Sequence, residues 1–176
     1  MTKVAIMGYG VVGSGLIELI DKNREYNRED DIKITSILVR NKEKHLNSSH
    51  NEVITTDVEE FFSIKSDVAI EVIGGSHPAY DYVKRALAIG KHVVTANKDL
   101  IATFGHELFQ LAKENNVSLK FEAAVAGGIP IIKPLTESLY GNGISSIKAI
   151  LNGTTNFILT KMDGENLSYE EALSEA

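Results

Sequence analysis

The sequence predicts an α/β protein whose core is a doubly wound parallel sheet, and three observations support this fold class. Short apolar runs rich in β-branched residues alternate with segments whose apolar residues recur at helical spacing. The helical segments are long enough to provide the crossover that connects two parallel strands. A glycine-rich turn, Gly8–Gly13, joins the first apolar run to the first helical segment. Such an alternation places helices on both faces of one sheet.

The predicted strands of the first part of the chain are short apolar runs that end at glycine or polar residues. They are Lys3–Met7, Ile32–Val39, Asp67–Ile73, His92–Thr95 and Val117–Glu122. Helices are predicted to start near Val12, at Pro78 and at Leu100. Gly90 is expected to stop the second helix, and the charged stretch Asp21–Asp31 to end the first.

The pattern changes after Glu122 and predicts a second, α+β unit. Its predicted elements are a glycine-rich segment, a helix, a strand and a helix: Ala123–Pro130, Ile131–Leu139, Ile144–Leu151 and Thr154–Met162. The boundary near Ala124 gives domains 1–124 and 125–176. Ser168 and Glu171 have the spacing of a capping box, which announces another helix. Because few residues follow, we expect the chain to be truncated within this second domain.

Composition excludes several functional classes. The 176 residues are 43% hydrophobic and 24% charged, which is typical of a globular protein with one domain and the start of another. No apolar run approaches the roughly 18 residues of a membrane span. The net charge of −6 argues against a general nucleic-acid binder. The chain has no cysteine, and its first strand leaves no room for a signal sequence, so a cytoplasmic location is expected.

The first glycine turn carries the strongest local motif. Gly8, Gly10 and Gly13 fit G-x-G-x-x-G between a predicted strand and a predicted helix. In a Rossmann-type domain the first glycine allows the tight turn, the second lets the backbone approach a pyrophosphate, and the third permits close packing of the helix. The helix N-terminus adds N–H donors. The sequence therefore predicts a dinucleotide site, with a glycine turn that binds nothing as the alternative.

Basic residues after the second predicted strand bear on which dinucleotide is bound. An NAD-selective site carries an acidic residue at the end of that strand. Here the strand ends at Arg40, while Asp30 and Asp31 precede it and lie at its wrong end. Arg40, with Lys42 and Lys44 nearby, is suited to a 2′-phosphate. We predict that NADP(H) is preferred and NAD(H) possible; a solvated basic loop is the alternative.

Lys98 is the candidate catalytic residue, because it follows a predicted strand at the edge where ligands of such sheets bind. Beside a nicotinamide, its ammonium group would orient a substrate oxygen or take part in proton transfer, the latter requiring burial. The alternative is a surface lysine at a helix start. Two later segments each allow a structural and a functional interpretation. Gly127–Pro130 is either a second tight backbone approach or a simple interdomain turn. Asn152–Asn156 concentrates small polar groups, and helix capping explains some of them but not five in a row. The five histidines show no metal-ligand spacing.

Longer motifs resemble those of homoserine dehydrogenases. TANKDLIA at Thr95–Ala102, FEAAVAGGIPII at Phe121–Ile132 and LNGTTNFILTKM at Leu151–Met162 occur in the order and spacing of that family. VIGG at Val72–Gly75 and the N-terminal GYGVVGSG also match it. The resemblance covers essentially the whole chain.

The resemblance implies NAD(P)-dependent interconversion of L-homoserine and L-aspartate 4-semialdehyde, on the route to threonine, methionine and isoleucine. It also implies a homodimer formed through the second, catalytic and dimerisation domain. Its implied cofactor contacts are Gly8, Tyr9, Gly10, Val11, Val12, Gly13, Arg40, Gly75 and Lys98. Its implied substrate contacts are Asn152, Gly153 and Thr154. It further implies a structural or activating sodium ion held by Glu122 and the carbonyls of Val125, Gly127 and Ile129.

One departure from the family concerns catalysis. The family's other substrate carboxylates and its acid–base lysine lie beyond the position that corresponds to Ala176. We therefore expect this chain to bind NADP(H) with little or no turnover, and we expect no aspartokinase domain before it.

Three alternatives make different demands on the sequence. Aspartate-semialdehyde dehydrogenase needs a cysteine nucleophile, and the chain has none. A sugar or inositol dehydrogenase would present its lysine in an E-K-P context, which the segment around Lys98 lacks. A non-catalytic nucleotide-sensing Rossmann module would need the glycine turn but not the later motifs.

Overall fold

The computed structural model describes residues 1–26 and 32–176, which divide into two compact units, Met1–Ala124 and Val125–Ala176. The strands of the first unit are β1 Thr2–Met7, β2 Ile32–Leu38, β3 Ile54–Thr55, β4 Val68–Glu71, β5 His92–Thr95 and β6 Leu119–Lys120. They form one parallel sheet with strand order β3-β2-β1-β4-β5-β6. The helices of this unit are α1 Val11–Tyr26, α2 Val58–Ser63, α3 Ala79–Ala88 and α4 Lys98–Glu114. The predicted doubly wound α/β fold is confirmed.

Strand β1 lies at the centre of the sheet and is buried on both faces. Ala5 and Met7 belong to a core formed with α2, α3 and α4, while Ile6 belongs to a second core beside α1. Successive side chains of a strand point to opposite faces, so the run supplies both cores in turn. Burying each large apolar side chain contributes about 1.5–3 kcal/mol. The carboxyl end of β1 is thereby fixed beneath the glycine turn.

The second unit contains two α-helices, α5 Gly153–Gly164 and α6 Tyr169–Glu175. Ile158 of α5 and Ala172 of α6 are its buried apolar residues among those described. The predicted capping box is confirmed: the Ser168 hydroxyl accepts from the Glu171 N–H, and the Glu171 carboxylate accepts from the Ser168 N–H. Because the two hydrogen bonds join the N-cap residue to the first turn of the helix, the capping box fixes where α6 begins.

Four elements differ from the sequence predictions. The sequence analysis missed β3 and α2, which are only two and six residues long. The predicted strand Ile144–Leu151 is wrong: the structure has no strand there, and Ile147 and Ile150 are 62% and 76% exposed. An apolar alternating run becomes a strand only when another strand pairs with it, and none of the described residues does so. The helical pattern at Ile131–Leu139 forms only a short π-helix, Pro134–Ser138.

The start of the second strand lies at the edge of the described residues. Helix α1 continues through Asp21 to Tyr26, past the point where the charged stretch was predicted to end it. The rest of that stretch, with Asp30 and Asp31, lies outside the described residues. Among residues 1–26 and 32–176, no helix combines the length and apolar character that a membrane crossing requires.

Candidate functional site

A cleft of about 390 Å³ opens beside the carboxyl ends of β1 and β2 in the first unit. It is lined by Gly8, Tyr9, Gly10, Leu38, Val39, Arg40, Asn41, Lys44, His45, Thr56, Val58, Val72, Ile73, Pro78 and Tyr82. The strand order reverses between β1 and β4, which is where ligands of open α/β sheets bind. The cleft therefore lies where doubly wound folds of this kind bind nucleotides.

The three glycines of the first turn have different structural roles. Gly8 has φ +110°, and a Cβ there would lie 2.8 Å from the carbonyl oxygen of Val72. A Cβ on Gly13 would lie 2.4 Å from the carbonyl oxygen of Gly8, so only glycine lets α1 pack this closely. A Cβ on Gly10 would meet no atom within 4 Å. The predicted tight turn and close packing are confirmed, and the backbone at Gly10 faces open space.

Two neighbouring strands hold that turn in place. The Gly8 N–H donates to the carbonyl of Leu38 at 3.0 Å, and the Val72 N–H donates to the carbonyl of Met7 at 2.9 Å. Helix α1 then begins at Val11, whose side chain is 92% exposed. The first N–H groups of a helix have no partner within it, so they are available to an anion at this end of α1.

A basic, aromatic wall flanks the turn. Arg40 and Lys44 are exposed residues that line the cleft. The Tyr9 and His45 rings stack with centroids 4.6 Å apart and an interplanar angle of 9°. The Tyr9 hydroxyl also forms a 2.8 Å hydrogen bond with the Ser48 hydroxyl. No Asp or Glu is found among the described residues that line the cleft.

The sequence analysis assigned no role to His45, and its place in the wall was not predicted. Its stack with Tyr9 joins residues from two separate segments, so no local motif marks it. Lys42, which was grouped with Arg40 and Lys44, does not line the cleft. It opens the 3₁₀ turn Lys42–His45, which Asn41 caps by accepting from the Glu43 N–H at 2.9 Å.

A second set of groups lies at the carboxyl ends of β4 and β5. Gly74 and Gly75 have φ +79° and +70°, and a Cβ on either would meet no atom within 4 Å. Asn97 is the N-cap of α4, with its side-chain oxygen 3.1 Å from the Leu100 N–H. Lys98 is the first residue of that helix and is exposed. The structure thus brings Gly75 and Lys98 to the same edge of the sheet but does not bury the lysine.

The predicted sodium ligands belong to both units. Glu122 opens a 3₁₀ turn, Glu122–Ala124, at the end of the first unit. In the second unit Ala126 and Gly127 have φ +57° and +59°, so the backbone turns sharply among the predicted carbonyl ligands. Within the described part of the chain, no group of three or more His, Cys, Asp or Glu side chains is placed to hold a metal ion. A site built mainly from carbonyls stays a prediction.

The predicted substrate residues lie at the start of α5. Asn152 is its N-cap, and its side-chain oxygen accepts from the Thr155 N–H at 2.8 Å and from the Thr155 hydroxyl at 2.9 Å. Gly153 and Thr154 are the first two helical residues. Capping therefore accounts for Asn152 structurally, and a role in substrate binding stays a prediction for all three.

Family models cover most of the chain. The homoserine dehydrogenase NAD-binding domain matches residues 8–122, and a second homoserine dehydrogenase model matches residues 130–176. The chain belongs to the homoserine dehydrogenase family. This membership was predicted from the motifs and is confirmed. The match disfavours the two alternative enzymes, aspartate-semialdehyde dehydrogenase and a sugar or inositol dehydrogenase.

Individual homoserine dehydrogenases agree with the family match. That of Bacillus subtilis is 45% identical over 179 residues, which cover 99% of this chain and 41% of the relative. The crystal structure of the Thiobacillus denitrificans homoserine dehydrogenase aligns with 40% identity and a TM-score of 0.88, covering 99% of this chain and 42% of that one. A hyperthermophilic archaeal homoserine dehydrogenase, solved in complex with NADPH, aligns with 33% identity and a TM-score of 0.81, covering 99% and 60%. The chain thus spans about two fifths of the length of the curated relatives.

Proposed function

We propose that the complete protein interconverts L-homoserine and L-aspartate 4-semialdehyde with NAD(P)(H), in threonine, methionine and isoleucine biosynthesis. Residues 1–124 are then the NAD(P)-binding Rossmann domain, and residues 125–176 the start of the catalytic and dimerisation domain. The observation that carries the proposal is the cleft beside Gly8 and Gly10 at the point where the strand order reverses, in a chain of this family. The cytoplasmic location and the homodimer stay predictions.

The residues of the first turn fit a dinucleotide. Open space at Gly10 allows a pyrophosphate to approach the backbone, next to the N-terminal N–H groups of α1 at Val11 and Val12. The adenosine half then contacts Tyr9 and Arg40 in the cleft. The nicotinamide half extends toward Gly75 and Lys98, across the reversal of strand order. When bound, the cofactor supplies or accepts the hydride.

We propose that NADP(H) is preferred over NAD(H). Arg40 and Lys44 line the cleft, and no carboxylate does among the described residues, so nothing there would bind a ribose 2′-hydroxyl in the manner of an NAD-selective acid. Two cations beside the ribose favour a 2′-phosphate through charge-assisted hydrogen bonds. A relative solved in complex with NADPH is consistent with this preference.

Lys98 is the residue of this chain proposed to face the reacting oxygen. Its ammonium group lies at the carboxyl end of the sheet, where it orients the substrate oxygen and stabilises negative charge that develops on it. Because Lys98 is exposed, this electrostatic role is better supported than proton transfer, which requires a buried lysine. Asn152, Gly153 and Thr154 are proposed to contact the substrate. Oxygen donors at Glu122, Val125, Gly127 and Ile129 suit a sodium ion.

Hydride transfer to L-aspartate 4-semialdehyde by the complete enzyme tests the proposal. We expect NADPH oxidation that depends on the aldehyde, with a higher kcat/KM for NADPH than for NADH. The 176-residue chain is expected to bind NADPH in a fluorescence titration with little or no turnover. A complete enzyme that binds NADPH but never oxidises it would instead support a nucleotide-sensing module. Robust turnover by the 176-residue chain would give Lys98 the whole proton-transfer role.

A further inference from the structure

A buried carboxylate lies at the carboxyl end of β4, next to the point where the strand order reverses. The Glu71 residue is 0% exposed. Its Oε1 accepts from the backbone N–H of Ile73 at 2.8 Å and of Gly74 at 3.3 Å. Its Oε2 accepts from the Thr95 hydroxyl at 2.5 Å. Burying an ionisable group is costly unless hydrogen bonds replace its hydration, and these three hydrogen bonds do so for Glu71.

The same carboxylate is connected to the start of α4. The Asn97 N–H donates to the Thr95 Oγ1 at 3.0 Å, which directs the hydroxyl proton of Thr95 toward Glu71. The Asn97 side-chain amide donates to the Gly75 carbonyl at 2.6 Å and lies 3.4 Å from the Glu71 Oε1. Thr95 and Asn97 are 1% and 5% exposed. One buried network therefore fixes the turn after β4 and the turn after β5 relative to each other.

We propose that Glu71 is a positioning residue that holds these two turns in the shape required by the nicotinamide half of the dinucleotide. The inference rests on the proposed cofactor function. Both turns lie beyond the carboxyl ends of parallel strands, where ligands of such sheets bind. The left-handed backbone at Gly74 and Gly75 is unfavourable for other residues, and both glycines face open space that a ligand can enter. The cleft for the adenosine half does not include Glu71, Gly74 or Gly75, although Ile73, whose N–H donates to Glu71, lines it.

The hydrogen-bond pattern predicts how substitutions act. In Glu71→Leu the donors of Ile73, Gly74 and Thr95 lose their acceptor, so the two turns must rearrange. In Glu71→Gln the amide oxygen still accepts from the two backbone N–H groups. Its amide nitrogen can donate to Thr95 once that hydroxyl rotates, so most of the geometry is kept.

The test compares two ligands on the unsubstituted chain and its variants by titration calorimetry. NADPH contains both halves of the dinucleotide, whereas 2′,5′-ADP contains only the adenosine half. Glu71→Leu is expected to weaken NADPH binding about tenfold or more, and to weaken 2′,5′-ADP binding by at most about threefold, because Ile73 lines the cleft and also donates to Glu71. Glu71→Gln is expected to lose less than about threefold for NADPH. If NADH binds more tightly than NADPH, the same comparison is made with NADH as the whole dinucleotide and ADP as its adenosine half.

Two further variants separate positioning from general destabilisation. Thr95→Val removes the hydroxyl that donates to Glu71 and is expected to give the same selective loss, which keeps the test available if the leucine variant does not fold. Lys91→Met removes another buried polar group, bonded to the Ile64 carbonyl and the Ser66 hydroxyl at the amino end of β5, and is expected to leave the ratio of the two affinities unchanged. Equal loss of both ligands in Glu71→Leu and Thr95→Val, or no loss of either, overturns the inference. An unsubstituted chain that binds neither ligand overturns the proposed cofactor function and this inference with it.

Discussion

The turn after β1 and the turn after β4 both bend at glycine, yet different neighbours hold them in place. The first is fixed by backbone hydrogen bonds and by shape, because Gly8 and Gly13 bring backbone within a distance that a Cβ would not permit. The second is fixed by a polar network, in which Glu71 accepts from the backbone of Ile73 and Gly74. A turn fixed by shape responds to added volume, whereas one fixed by a carboxylate responds to the loss of an acceptor. The two turns therefore fail for different substitutions.

Adding a methyl group to the first turn provides the largest expected effect. In Gly13→Ala the new Cβ lies 2.4 Å from the Gly8 carbonyl oxygen, so α1 must move away from β1. Overpacking of this kind costs about 1–3 kcal/mol of the free energy of unfolding, measured by urea denaturation. Gly10→Ala is the matched control, because its Cβ meets no atom within 4 Å and should leave stability nearly unchanged. Equal stability of the two variants would refute fixation by shape.

Arg40 provides an intermediate effect, which concerns the ligand and leaves the turn intact. Removing an exposed cation beside a 2′-phosphate is expected to weaken NADPH binding about tenfold to a hundredfold in Arg40→Ala, with NADH binding unchanged. Lys42→Ala serves as the control, since Lys42 carries the same charge but does not line the cleft. Equal losses of NADPH affinity in the two variants would contradict a specific role for Arg40, because general electrostatic attraction of the anionic ligand would then explain the effect.

The Tyr9–His45 stack provides the smallest effect. The rings line the cleft in parallel contact, and such pairs are worth about 0.5–1.5 kcal/mol. His45→Ala is therefore expected to weaken NADPH binding about twofold to tenfold, as followed by fluorescence titration. His45→Phe keeps the ring and should restore most of the affinity. Identical NADPH affinities for the alanine variant and the unsubstituted chain would show that the stack does not contribute to binding.

The same contrast explains what the sequence could predict. Gly8, Gly10 and Gly13 act within one strand-turn-helix segment, so their spacing alone predicts the turn. The Glu71 network joins residues more than twenty positions apart, and no local pattern marks it. One sign was available: Glu71 is the only charged residue inside the apolar run Val68–Ile73. A charge within a buried strand calls for a partner elsewhere in the fold.

Long-range pairing also explains the other errors. The strand predicted at Ile144–Leu151 has the right residues, but whether a run becomes a strand depends on a partner that periodicity cannot identify. Helix α2 was missed because six residues give little periodicity. The sequence does contain a sign of its start, because Asp is a favoured N-cap residue. In the structure Asp57 accepts from the N–H groups of Glu59 and Glu60.

The central place of β1 in the sheet has a consequence for the order of events during synthesis. β1 pairs with β2 on one side and with β4 on the other, and about 60 residues separate Met7 from Val68. At typical translation rates of about 5–20 residues per second, β4 is completed about 3–13 s after β1. Through that interval β1 of the nascent chain has one unpaired edge. An unpaired edge of this kind is a template for pairing with another chain, so the interval before β4 is complete is when the nascent chain is most exposed to aggregation.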